Sequence, residues 1–256
     1  MAIPFQPPPS SAPAPSVAEV PAKPETPPAS PPVTILRPRT ATQEELLRQA
    51  GEASGTTRIE LYAKVLSIDP RNAEALRGAV ESSMASLPKE GRQRDDLIHW
   101  AQELVELNDP AGSHAIGCID LRRAEEAHNI LGSIKSLSDG ITDLQHSLHA
   151  GYSASFFPLV QGYIDLHNAR LQNREKPKAD RASKALFDEI DRMPQAITGE
   201  TAREHAEDLE KTLKDRASKT PPRMQEAFLR AVMQHLYATA AKRGDSKAQA
   251  WLKGHH

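Results

Sequence analysis

The stretch Tyr62-Ala63-Lys64-Val65-Leu66-Ser67-Ile68-Asp69-Pro70-Arg71-Asn72-Ala73-Glu74-Ala75-Leu76 decides the fold. Tyr62 and Leu66 stand one helical turn apart and so share a face, and Ile59 carries the same stripe one turn back. At Asp69-Pro70 the helix stops, because proline lacks an amide donor and cannot continue the ladder in the normal way. Asn72 then offers a side-chain oxygen to cap a new helix, and the small Ala73 and Ala75 let a neighbouring helix come close. The stretch predicts two helices joined by a tight turn, with Tyr62 and Leu66 packed against the helix that begins at Asn72.

Outward from this junction the same periodicity covers nearly everything after residue 40. Apolar residues recur at three and four in Leu97, Trp100, Ala101, Leu104, in Phe156, Leu159, Val160, Tyr163, and in Met224, Phe228, Ala231, Val232, His235. Strand-type alternation is nowhere sustained. The pattern predicts an all-α protein of stacked antiparallel helical hairpins. The helices are drawn near 42–53, 57–69, 72–86, 91–107, 112–131, 139–149, 154–172, 177–192, 199–218, 221–243 and 245–253. Short linkers favour neighbours that stack in chain order. The stripe Ala202, Ala206, Leu209, Leu213 has coiled-coil spacing but barely fills two heptads, which fits one face of a bundle helix.

Of 21 prolines, 13 lie in residues 1–40, with Ser and Ala between them and only five charged side chains. Fixed φ, missing donors and few apolar groups predict a disordered, polyproline-rich arm over 1–40. Residues 41–137 and 138–256 are then a first set of helical repeats and a further set of hairpins.

The Tyr62–Leu76 stretch resembles the junction between two tetratricopeptide repeats. There the second helix of one repeat carries an aromatic and a leucine, ends at Asp-Pro, and is followed by Asn-Ala-Glu-Ala opening the next. A looser copy, Trp100-Ala-Gln-Glu-Leu104 followed by Asn108-Asp109-Pro110, comes 40 residues later. Family repeats run close to 34 residues, so an insertion is expected near Pro88–Gly91. The resemblance is closest over 57–80 and extends with departures to 131; the usual large-residue and glycine pair is out of register at Leu76 and Gly78. Near the C-terminus, Leu236–Leu252, with Gly244-Asp245 between two helices, is similar to a Sel1-type repeat. The tetratricopeptide resemblance implies a concave groove lined by the first helix of each hairpin, holding a peptide or helix of a protein partner. Its candidate residues here are Glu74, Arg77 and Glu81.

Composition narrows the alternatives. Lys plus Arg number 32 against 34 Asp plus Glu, a net charge of −2, so no basic footprint for nucleic acid is present. No apolar run approaches the ~18 residues of a membrane span. Cys118 is the only cysteine, which fits a reducing compartment such as the cytoplasm. Export by a leaderless route, as a bacterial effector or secretion-associated protein using the Pro/Ser-rich first 30 residues, is the alternative.

No constellation compels an enzymatic reading. His146 and His149 have a metal-compatible spacing but no cysteine or carboxylate at a fixed offset. His114 and Cys118 stand at i and i+4, yet Cys118 belongs to an apolar set with Ala115, Ile119 and Leu121, and packing is expected. Phosphate-cradling glycine loops and nucleophile elbows are absent, so neither catalysis nor a cofactor is expected.

Overall fold

Thr40, not a residue of the first helix, sets where the described chain begins to coil. Its hydroxyl accepts from the Gln43 amide at 3.3 Å while Gln43 returns a bond to the Thr40 amide at 2.8 Å, a reciprocal capping box. The computed structural model describes residues 40–86, 91–192, 197–217 and 223–255. The expected arm, apart from Thr40, and the expected insertion around 88–90 lie outside these residues. Residues 39–256 form one unit by their internal packing.

Eleven α-helices follow among the described residues: α1 Ala41–Glu52, α2 Gly55–Ile68, α3 Ala73–Met84, α4 Arg92–Glu106, α5 Pro110–Glu126, α6 Ile130–His149, α7 Phe156–Gln172, α8 Lys176–Asp191, α9 Gly199–Ala217, α10 Arg223–Lys242 and α11 Ser246–Gly254. A 3-10 turn, Ser153–Ser155, precedes α7. Each helix from α1 to α7 packs on the next, α9 packs on α10, and α10 on α11; α3 also touches α5, and α8 touches α10. The all-α stack of hairpins is therefore as the periodicity requires.

At the decisive junction Leu66 is buried and Asn72 caps α3 by accepting from the Ala75 amide at 3.0 Å. Tyr62 is half-buried rather than fully enclosed. Its ring occupies the space that a Cβ on Gly78 would fill, so Gly78 is the seat for Tyr62. Trp100 is likewise half-buried against the core.

The α5–α6 boundary differs from the sequence expectation of a loop at 132–138. The break falls at 127–129, where Asn129 caps α6 by accepting from the Gly132 amide at 2.7 Å. Gly132 and Ser138 look like loop residues but sit inside the helix. Ser138 turns its hydroxyl back onto the Ile134 carbonyl at 2.8 Å. Gly117 and Gly140 let α5 and α6 cross almost backbone to backbone, since a Cβ on Gly140 would stand 2.8 Å from the Gly117 carbonyl oxygen.

Helix α5 is the shared wall of two hydrophobic clusters. Ala111, Ala115 and Ile119 join the residues of α1–α4, while Cys118, Leu121 and Ala124 face those of α6–α11. In α9, Ala202, Ala206, Leu209 and Leu213 are all buried in the second cluster, so the short heptad-like stripe is a packing face.

Four turns close in the same way. After α4, α6, α7 and α10 the residues Asn108, Gly151, Arg174 and Gly244 take φ of 57°, 94°, 58° and 89°. In each the following amide reaches back to the helix, as Asp109 N–H does to the Leu104 carbonyl and Asp245 N–H to the Ala240 carbonyl. This left-handed closure satisfies carbonyls that a helix end leaves orphaned.

Candidate functional site: the α3–α5 face

The three residues expected in the groove share one side of α3. Glu74, Arg77 and Glu81 lie at steps of three and four and are all exposed. Two of them are held by groups from further along the chain. Arg77 donates from Nε to Asp109 Oδ2 at 3.0 Å. Asp109 is itself the N-cap of α5, its other oxygen accepting from the Ala111 amide at 3.0 Å. That carboxylate raises the Arg77 pKa further above its ordinary value, chiefly through the hydrogen bond. Tyr152 donates its phenol to Glu81 Oε1 at 3.4 Å. Burial, then the Glu81 charge, pushes the Tyr152 phenol up.

Behind Tyr152 runs a polar chain that the sequence did not disclose. The His114 ring lies 5.1 Å from the Tyr152 ring, and its Nδ1 is 3.1 Å from Ser155 Oγ. Ser155 donates to Ser147 Oγ at 2.8 Å, and Ser147 donates to the Pro110 carbonyl at 2.7 Å. With both serine protons committed, Ser155 accepts from His114, which places the imidazole proton on Nδ1 and leaves Nε2 as an acceptor. Cys118 Sγ stands 3.9 Å from that nitrogen.

This is the opposite of an activated thiol. A catalytic cysteine needs a depressed pKa beside a charged imidazole. Here burial pushes the Cys118 thiol up to about 12 and the His114 imidazole down to about 4, so both are neutral near pH 7. His114, donating from Nδ1, cannot take the Ser155 proton. The network ties α5 and α6 to the residue that opens α7.

Of the two histidines of metal-compatible spacing, His149 meets a carboxylate of another helix. His149 Nε2 lies 3.1 Å from Glu189 Oε2 on α8, and Gln145 donates to the other Glu189 oxygen at 2.6 Å. Among the described residues no three His, Cys, Asp or Glu side chains gather as a metal site. No described helix is long and apolar enough to cross a membrane.

The bond between Arg77 and Asp109 belongs to a pattern. Arg77 is the fifth residue of α3 and Asp109 caps α5; His114 is the fifth of α5 and its partner Ser155 is the N-cap residue of α7; Arg203 is the fifth of α9 and its partner Asp245 caps α11. Arg203 Nε meets Asp245 Oδ2 at 3.2 Å. Three times, a side chain at the same helical position clasps the residue that opens the next odd-numbered helix. The partners are 32, 41 and 42 residues apart, so no local motif could reveal them.

These hairpins and their recurring clasp make the described residues an all-α stack of helical hairpins. Among solved structures the chain is similar to a thermophilic TPR protein of Thermus thermophilus, with 14% identity over 83% of this chain and 97% of that one and a TM-score of 0.41. No family model and no curated protein matches it.

Proposed function

We propose that this protein is an interaction scaffold whose α3–α5 face takes an extended peptide or a helix of a protein partner. One observation carries the proposal. Arg77 and Glu81, on a first helix, are pinned by Asp109 and Tyr152 from the next hairpin, so a row of fixed charges and donors spans two repeats. Pre-set polar groups cost little ordering entropy when a partner arrives. Their alternation of carboxylate, guanidinium and phenol suits the polar backbone and mixed charges of a peptide better than a uniformly charged polymer. The neutral Cys118–His114 pair supports binding rather than chemistry.

Site-specific photocrosslinking tests this. A photoreactive residue placed at Glu74 should join a partner protein in cells of the source, while the same residue at the exposed Lys184 of α8 should not. Equal adducts at both positions, or adducts at Lys184 alone, would refute the assignment of the face.

A further inference from the structure

A cavity of about 170 Å³ lies between α2 and α4, above the last turn of α3. Ile59 and Ala63 of α2 and Trp100 of α4 form its apolar wall, and the buried Ser83 of α3 supplies a hydroxyl. Glu60 and Asp96 bring a carboxylate from each flanking helix, and among the described residues no lysine, arginine or histidine lines it. We propose that this cavity binds the guanidinium of an arginine side chain presented by a partner peptide.

The size fits. A water occupies roughly 30 Å³ of liquid, so the space holds a guanidinium and part of its stem. The chemistry selects the cation. An anion would meet two carboxylates, and an apolar group would strip water from Glu60 and Asp96 with nothing in return. An indole wall favours a cation near its ring. Between the two natural cations, arginine is planar, weakly hydrated and carries five donors, which two carboxylates and a hydroxyl can accept together; an ammonium is a compact, strongly hydrated point charge. The internal competitor is loosely held: Arg92 approaches Asp96 only to 3.8 Å, and its side chain is 94% exposed. An incoming guanidinium displaces it at small cost.

The site is separate from the α3–α5 face. Nine residues apart on one helix, Ser83 points about 180° away from Glu74. The two proposals therefore stand or fall independently.

The full chain labelled with 5-fluorotryptophan gives two fluorine resonances, from Trp100 and Trp251, assigned through Trp251→Phe. Titration with N-acetyl-arginine amide should shift the Trp100 signal alone, saturably, with millimolar affinity. N-acetyl-citrulline amide, the neutral isostere, should bind at least about five-fold more weakly, and so should arginine to the Glu60→Gln/Asp96→Asn variant. Raising salt from about 20 to about 500 mM should weaken the arginine effect, as for exposed charges. A Trp100 signal that stays still or moves without saturating, citrulline equal to arginine, or a response unchanged in the double variant would overturn the site. N-acetyl-lysine amide binding as tightly as arginine would overturn the choice of guanidinium.

Discussion

The first and last clasps do the same job in different surroundings. Arg77 reaches across 32 residues to Asp109 with its side chain 53% exposed, whereas Arg203 reaches across 42 to Asp245 with its side chain 6% exposed. The span of the first clasp lies near the ~34-residue repeat of tetratricopeptide proteins; that of the last is a quarter longer. The cores differ in the same sense. Around α1–α4 the buried hydrophobic residues among those described are aliphatic, and the rings of Tyr62, Trp100 and Tyr152 pack against them only partly buried. Around α6–α11 the buried residues include Phe156, Tyr163 and Tyr237, with Tyr237 stacked on Trp251 at 4.0 Å and His167 on Phe228 at 4.1 Å. Rings flank the first cluster, whereas in the second they also lie within it.

The largest expected effect lies where the two halves join. Leu144 is fully buried beside the Gly117–Gly140 crossing, where the backbones already touch and cannot close a void. Leu144→Ala should cost towards the upper end of ~2–5 kcal/mol. A smaller loss in urea unfolding than for Leu66→Ala would mean that the crossing relaxes and the second half is the more forgiving one.

Glycines sharpen the contrast next. A Cβ at Gly112 would stand 2.6 Å from the Ala101 carbonyl oxygen and 2.7 Å from the Val105 nitrogen, both backbone, so α4 and α5 must separate. Gly112→Ala is expected to lose ~1–3 kcal/mol. Gly51→Ala, where nothing lies within 4 Å, should instead gain up to ~1 kcal/mol from helix propensity. Equal effects on the urea midpoint would remove the close α4–α5 approach from the account.

Acid should strain the middle clasp. His114 is neutral in the folded chain, with its pKa near 4 because of burial, so between pH 6.5 and 4 the unfolded chain binds the extra proton. Stability then falls as pH falls through that window, by on the order of 1–2 kcal/mol at pH 5 from this group. His114→Gln should flatten the profile of urea midpoint against pH; an unchanged slope would show that His114 does not carry it.

Turns give the smaller effects, and of opposite sign. Asn72→Ala removes the cap of α3 and should cost about 1 kcal/mol. Arg174 holds φ of 58° where glycine would be unstrained, so Arg174→Gly should gain up to ~1 kcal/mol. Thermal melts of the two variants should move in opposite directions.

Much of the first half was legible because its signals are local. A proline, a capping asparagine and an aromatic one turn from a leucine fall within fifteen residues, and helix, turn and packing face follow from them. The exposed side of α3 was legible by the same periodicity, which is why Glu74, Arg77 and Glu81 share a face as expected. What holds that face was not. Asp109 and Tyr152 lie 32 and 71 residues from their partners, and only folding brings them together. The α5–α6 boundary is displaced because Gly132 and the serines after it have the composition of a loop, while the Asn129 cap already opens the helix ahead of them. The clasp escaped for a related reason: its members are arginine, histidine, aspartate and serine by turns, alike in position and not in identity.

The α3 face exists only if α2 and α3 form a hairpin with one buried side and one open side. Urea unfolding of Leu66→Ala and Arg77→Ala against the unaltered chain tests it most directly. Leu66 is buried and should cost ~2–5 kcal/mol. Arg77, half exposed, gives up its bond to the largely buried Asp109 and should cost on the order of 1 kcal/mol, less than Leu66→Ala, while weakening partner crosslinking at the α3 face. An unchanged midpoint for Leu66→Ala, or a greater loss for Arg77→Ala, would contradict the hairpin register and the face built on it.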